Sequence, residues 1–325
     1  MARTQIQKVM RGHQRRGAQK RVGPPGGEVF VALRDLAQAR RKVREAYKRE
    51  HQERIKEYTG VMKIMKIRGV KGLPSTSQPL QILAEGDSWF DYPYPRFGGG
   101  IIPRLDPLIG VEILNLAKAG DQVRKMMDVE QRKELVEHLQ DGSPTGGPWD
   151  VLLFSGGGND VVDNHLEACI KEYNPAIPLP DHIEQGNYDA VLRLLRKGYE
   201  DLIAIRDATS PATHLIFHAY DFAIPDGRGA LWFGPWLEPA FNHRHFPRRP
   251  QLREKIEVVK AMLQQFAMLL QSLERPGVTF INAQGTLSPQ PSSWHNEMHP
   301  GKVGFNRFAQ IFHNKLKALF PGRIL

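Results

Sequence analysis

The chain is poor in cysteine: Cys169 is the only one in 325 residues. An intrachain disulfide is therefore impossible, which fits a reducing compartment. Long apolar runs are missing too. No stretch reaches the roughly 18–20 consecutive apolar residues that a membrane-spanning helix needs. The N-terminus, MARTQIQKVMRGHQRRG, is basic but has no apolar segment behind it, so it does not read as a secretory signal. These absences lead to the expectation of a cytoplasmic protein without a transmembrane segment. Acidic residues are scarce in the first quarter. Residues 1–72 hold 20 Lys and Arg against 6 Asp and Glu, while the remainder holds 25 against 29. The asymmetry suggests an arm that meets an anionic surface: nucleic acid, lipid headgroups or an acidic protein. A solvated basic helix is the plainer reading, and no motif with base-reading residues is visible. His182, His218, His243 and His245 show no recognised metal-ligand spacing, so neither a metal nor another cofactor is expected. The oligomeric state is not legible.

What is present divides at about residue 80. Residues 1–27 are polar and rich in Gly and Pro, and too few apolar groups are there to offset the entropy of ordering. From Glu28 to Tyr58 the spacing of Val29, Leu33, Leu36, Val43 and Tyr47 predicts a basic helix, with Glu45–Arg49 and Glu50–Arg54 as i,i+4 pairs. GVKGLPSTSQP (69–79) reads as a linker. The expected organisation is thus a basic arm, helix and linker over 1–79 and a catalytic-sized domain over 80–325. In that domain short apolar runs (QILA 81–84, VEILNL 111–116, VLLF 151–154, HLIFH 214–218, VTFIN 278–282) alternate with helical patterns near 121–140, 188–207, 251–273 and 302–319. Such alternation predicts a parallel sheet with helices on both faces. Residues 161–187 and 222–250 are too long for turns and read as insertions.

Polar clusters follow the predicted strands. Glu85-Gly86-Asp87-Ser88-Trp89 follows the first, Ala117-Lys118-Ala119-Gly120-Asp121 the second, and Ser155-Gly156-Gly157-Gly158-Asn159-Asp160 the third. Trp294-His295-Asn296-Glu297-Met298-His299-Pro300 precedes the last helix. A parallel sheet gathers all four on one edge, where ligands of such sheets bind. No GxSxG elbow is present, which argues against the α/β-hydrolase fold.

In these blocks the chain resembles the SGNH/GDSL hydrolase family. GDSW at 86–89, NLAKAG ending at Gly120, GGND at 157–160 and NEMHP at 296–300 stand in that family's order, over roughly residues 80–320. The resemblance implies a three-layer α/β/α sandwich with a five-stranded parallel sheet, the flavodoxin-like SGNH hydrolase fold, here carrying a basic N-terminal helical extension. It implies a serine esterase acting on a small-molecule ester (lipid, acyl or acetyl) through an acyl-enzyme, with no metal. Ser88 takes the nucleophile's place and His299 the base's. Ser88 N–H, Gly120 N–H and the Asn159 amide take the oxyanion hole.

One block departs from the pattern: Asn296 stands where the family carries Asp. An Asn carbonyl can accept from the imidazole Nδ1–H but brings no charge. Asn296 could orient His299, a backbone carbonyl could leave a Ser–His dyad, or Glu297 could take the role. His295 is an alternative base, disfavoured by spacing. Asp87 is expected to bond its own turn, and Cys169 to be buried. Trp89, Phe90, Tyr92 and Tyr94 are core or cleft wall. The aromatics of the second insertion, Phe222, Trp232, Phe233, Trp236, Phe241 and Phe246, either cover the cleft or pack the insertion down. Trp89, Asp87, Trp232 and Trp236 are the candidates for the substrate cleft. An acyltransferase on the same scaffold, and a catalytically weak module that targets an anionic partner through its basic arm, are the competing readings.

Overall fold

The computed structural model describes residues 27–74, 78–93, 99–162, 165–230, 234–248 and 251–325. The expectations for residues 1–26, Tyr94, Trp232 and Phe233 lie outside the described residues. The chain divides into two compact units, residues 1–60 and 61–325.

In the first unit the described backbone is helical. It belongs to α1 (Gly27–Arg68), 42 residues long. The helix runs ten residues past the expected end at Tyr58, through Gly60, and stops before the Gly-rich turn at 69–72. A glycine inside a helix costs only about 1 kcal/mol, which flanking turns absorb. Glu50 does pair with Arg54 (2.7 Å), while Glu45 takes Arg41 on its other side (2.9 Å).

The second unit is a five-stranded parallel sheet, β1 (Ile82–Gly86), β2 (Ile113–Asn115), β3 (Val151–Ser155), β4 (His214–His218) and β5 (Val278–Ile281), in the order β2-β1-β3-β4-β5. Each strand falls inside or within two residues of an apolar run read from the sequence. Every residue of β3 is buried, as a central strand covered on both faces must be. The order reverses between β1 and β3, which makes the carboxyl ends of these strands the switch point where doubly wound sheets place ligands.

Helices cover both faces. α2 (Ile102–Ile109) packs with α9 (Lys302–Leu319). The other layer holds α3 (Val123–Met126), α4 (Val129–Asp141), α6 (Gln185–Thr209) and α8 (Arg253–Gln271), while the short α5 (Gly158–Val161) follows β3 and α7 (Glu238–His243) lies in the second insertion. β4 shows how alternation feeds two cores. Phe217 packs on Tyr199 and Phe280, while the next residue, His218, meets Phe90 and Phe312. Fully buried Phe side chains of this kind contribute about 1.5–3 kcal/mol each. α2 is not among the helical patterns read from the sequence. Pro103 sits in its first turn, where no N–H is needed. Among the described residues no helix is long and apolar enough to cross a membrane.

Candidate active site

The β1 strand ends in a turn that only glycine permits. Gly86 has φ +153°, and a Cβ there would meet the Ser155 carbonyl oxygen at 2.5 Å. The Asp87 N–H donates to the same oxygen (3.0 Å), so β1 closes onto β3 just before Ser88 emerges. The loop before α9 supplies the partner. Ser88 Oγ lies 2.7 Å from His299 Nε2, and both residues are buried.

The protonation of this pair follows from counting donors. Asn296 Oδ1 is 3.0 Å from Met298 N and 2.9 Å from His299 N. Backbone N–H groups can only donate, so the atom they face must be the amide oxygen. His299 Nδ1 is 3.0 Å from that oxygen and therefore carries the ring proton. Nε2 is left free to accept from the Ser88 hydroxyl. Burial pushes the imidazole down to about 3, and His295 adds to the effect. Among the described residues no carboxylate hydrogen-bonds the ring to offset either. His299 is thus held neutral in the tautomer a general base needs, at the cost of weak basicity.

Asn296 occupies the orienting position; Glu297 does not. Glu297 is fully buried and accepts four backbone N–H bonds, from Gly227 (2.9 Å), Trp236 (2.6 Å), Leu237 (2.8 Å) and Glu238 (2.8 Å). It ties the second insertion to the His299 loop, which sets the Trp236 ring edge-on to His299 at 5.9 Å. The His295 ring faces Tyr92, whose hydroxyl is 2.5 Å from its Nδ1.

Asn159 and Ser88 line one cavity, together with Val161, Leu166, Val259 and Met262. One amide N–H of Asn159 donates to the Asp121 carbonyl (2.8 Å), which leaves the second for an incoming oxygen. Gly120, next to Asp121, has φ +87° and open space where a Cβ would stand. It is exposed, so a ligand can approach its backbone.

The remaining sequence candidates divide. Trp89 is 3% exposed and packs on Tyr220, Phe305 and Phe308, with its indole N–H donating to the Met298 carbonyl (3.2 Å). It is mostly core, with an edge on the cavity. Phe241 and Phe246 pack on each other, and Phe246 on Tyr173 and His182, so they join the two insertions to one another. Cys169 is buried, and burial raises its thiol.

A second polar network lies beneath the nucleophile, and sequence reading missed it. Asp87 does bond its own turn (Trp89 N, 3.0 Å), but it also accepts from the Tyr220 hydroxyl (2.5 Å) and from the Ser155 hydroxyl (2.8 Å). Ser155 Oγ is 2.9 Å from His218 Nε2, and His218 Nδ1 is 3.0 Å from the Ala219 carbonyl. That carbonyl can only accept, so Nδ1 carries a proton. The Ser155 hydroxyl is thereby enclosed between a buried carboxyl and a buried imidazole. Burial lifts Asp87 to about 6 and lowers His218 to about 4. The only available signal was that Asp87, Ser155 and His218 each end a predicted strand or follow one.

No protein-family model and no curated protein matches the chain. Solved structures do. A lipase from goat rumen metagenome is 17% identical, with 72% of this chain and 96% of that one covered at a TM-score of 0.47. A carbohydrate esterase family 3 protein from Talaromyces cellulolyticus is 12% identical (74% and 97% covered, TM-score 0.43). A protein described as an SGNH hydrolase from Slackia heliotrinireducens is 11% identical (73% and 99% covered, TM-score 0.41). At these identities and TM-scores the likeness carries no chemistry over to this chain, so function is argued from its own distances.

Proposed function

We propose that the protein is a serine esterase that cleaves a small ester through an acyl-enzyme on Ser88. The observation that carries this is the 2.7 Å contact between Ser88 Oγ and the unprotonated Nε2 of His299, at the mouth of a cavity. Ser88 Oγ attacks the ester carbonyl while its proton passes to His299 Nε2. The carbonyl oxygen gains charge and is met by the free Asn159 amide N–H and the backbone N–H groups of Ser88 and Gly120. His299 returns the proton to the departing alkoxide. Water then gives a proton to the same nitrogen as it attacks the acyl-enzyme, releasing the acid and restoring Ser88.

The cavity argues for a short acyl group. Its walls beside Ser88 are apolar, from Val161, Leu166, Leu237, Val259, Met262 and Leu263, and its volume is about 30 Å³. That is space for a group of about water or methyl size. Acetyl esters are therefore expected to turn over faster than butyryl or longer ones. The test is fluorophosphonate labelling and nitrophenyl ester hydrolysis by wild type and Ser88→Ala. Labelling and turnover are expected to vanish in the variant; their survival would refute the assignment.

A second reading concerns the basic arm. The excess of Lys and Arg over residues 1–72 suits an anionic partner. Binding of heparin or anionic vesicles that falls with salt and is lost when 1–26 are removed would support it.

A further inference from the structure

The donor count that fixes His299 does not stop at Asn296. With its oxygen committed to Met298 N–H, His299 N–H and His299 Nδ1–H, the Asn296 amide must point Nδ2 the other way. There it donates to the Tyr92 hydroxyl oxygen at 3.0 Å. The Tyr92 hydroxyl lies 2.5 Å from His295 Nδ1. Five groups thus form one chain, Ser88, His299, Asn296, Tyr92 and His295, in which the first three bonds each donate outward from Ser88. The Tyr92 ring also stacks on the His299 ring at 4.4 Å and 27°, so the same residue holds the base by its face and, through Asn296, by its edge. Asn296 is fully buried and Tyr92 nearly so, whereas His295 is half-buried at the outer end.

We propose that Tyr92 and His295 are positioning residues that do for His299, through Asn296, the work for which most serine triads use a carboxylate. The proposal rests on Ser88 and His299 as the attacking pair. Two backbone N–H groups already hold the Asn296 oxygen toward the ring. Tyr92 adds to that hold from the other side of the amide, where its hydroxyl oxygen accepts from Nδ2. When the Ser88 proton reaches Nε2, positive charge appears on His299. The Nδ1–H bond strengthens, the amide polarises, and each later bond strengthens in turn. No proton leaves Nδ1.

The experiment is a double-mutant comparison in the full-length protein. Tyr92→Phe keeps the stacked ring and removes only the hydroxyl. His295→Phe keeps an aromatic edge and removes the ring nitrogen that meets the Tyr92 hydroxyl. Each is expected to lower kcat about tenfold with KM within about twofold, the size of one oriented hydrogen bond in the transition state. In an Asn296→Asp background a carboxylate faces Nδ1 directly, and the same two changes are expected to cost less than about twofold. Equal losses in both backgrounds would overturn the proposal, because a merely structural role would not depend on residue 296. Nitrogen-15 shifts of the imidazoles give a reading independent of turnover. In Ser88→Ala protein, His299 is expected to show protonated Nδ1 and bare Nε2, and Tyr92→Phe to mix the two tautomers. An unmixed ring would sink the relay whatever the activity shows. Turnover that survives Ser88→Ala while the tautomer does mix would remove the esterase reading and leave the relay standing.

Discussion

Two groups of polar residues meet at the end of β1, and they contain nearly the same parts. Above the turn are Ser88, His299 and Asn296; beneath it are Ser155, His218 and Asp87. By composition the lower group is the better triad, since it alone has a carboxylate. Yet Ser155 has no exposed surface, and its hydroxyl is spent between Asp87 and His218. Ser88 keeps 6% exposure and opens on the cavity. The pair teaches that access and proton direction, rather than residue inventory, separate a nucleophile from a structural hydroxyl. In the lower group the serine is held between a buried carboxyl and a buried ring, where no ligand reaches it. In the upper group the ring's free nitrogen faces the hydroxyl.

The comparison breaks most sharply at the two serines. Ser88→Ala should lower ester turnover at least about 10³-fold while leaving thermal stability nearly unchanged. Ser155→Ala should do the reverse, keeping turnover within severalfold and costing about 1–3 kcal/mol in denaturant unfolding, because His218 and Asp87 lose their shared partner. Comparable activity losses from the two would erase the distinction. Next in size is Asn159→Ala, expected to lower kcat about 10²-fold with little change in KM if the amide meets the oxyanion.

Giving the upper group the charge it lacks is a smaller change. A carboxylate 3.0 Å from His299 Nδ1 favours the imidazolium, so Asn296→Asp should raise the basicity of His299 from its depressed value. The acid limb of kcat/KM should then move to higher pH, and the plateau rate should rise about tenfold. An unmoved acid limb in pH–rate profiles would show that His299 is not the titrating base.

The smallest effect concerns the lower group's proton. Asp87 is raised to about 6 in the folded protein, against an ordinary 3.8, so its contribution to stability is complete below about pH 4 and is lost as pH rises through 6. Unfolding followed between pH 4 and 7 should show this loss, of about 1–3 kcal/mol, and Asp87→Asn should flatten that part of the profile. An unchanged slope would mean that the proton resides elsewhere.

Much of the frame was legible because it depends on near neighbours in sequence. The strands announced themselves as apolar runs, and α6, α8 and α9 as 3.6-residue patterns that the structure reproduces within a few residues. α2 was not, since eight residues with two prolines give too short a periodic pattern to read. At the site, Ser88, Asn159, Asn296 and His299 came from motifs of contiguous residues, whose order implies one sheet edge.

Sequence alone thus determined the alternation of strand and helix, the polar turns after the strands, and the odd asparagine at 296. Tertiary structure alone decided what each polar atom faces. Tyr92 meets Asn296, and Asp87 meets Ser155 and Tyr220, across long separations of chain, with no periodicity to report it. Glu297 and Asn296 are adjacent, both buried and both polar, yet one anchors an insertion and the other orients a base. The physical reason is that a hydrogen bond is set by direction over about 3 Å, whereas sequence patterns report only which face of an element is dry.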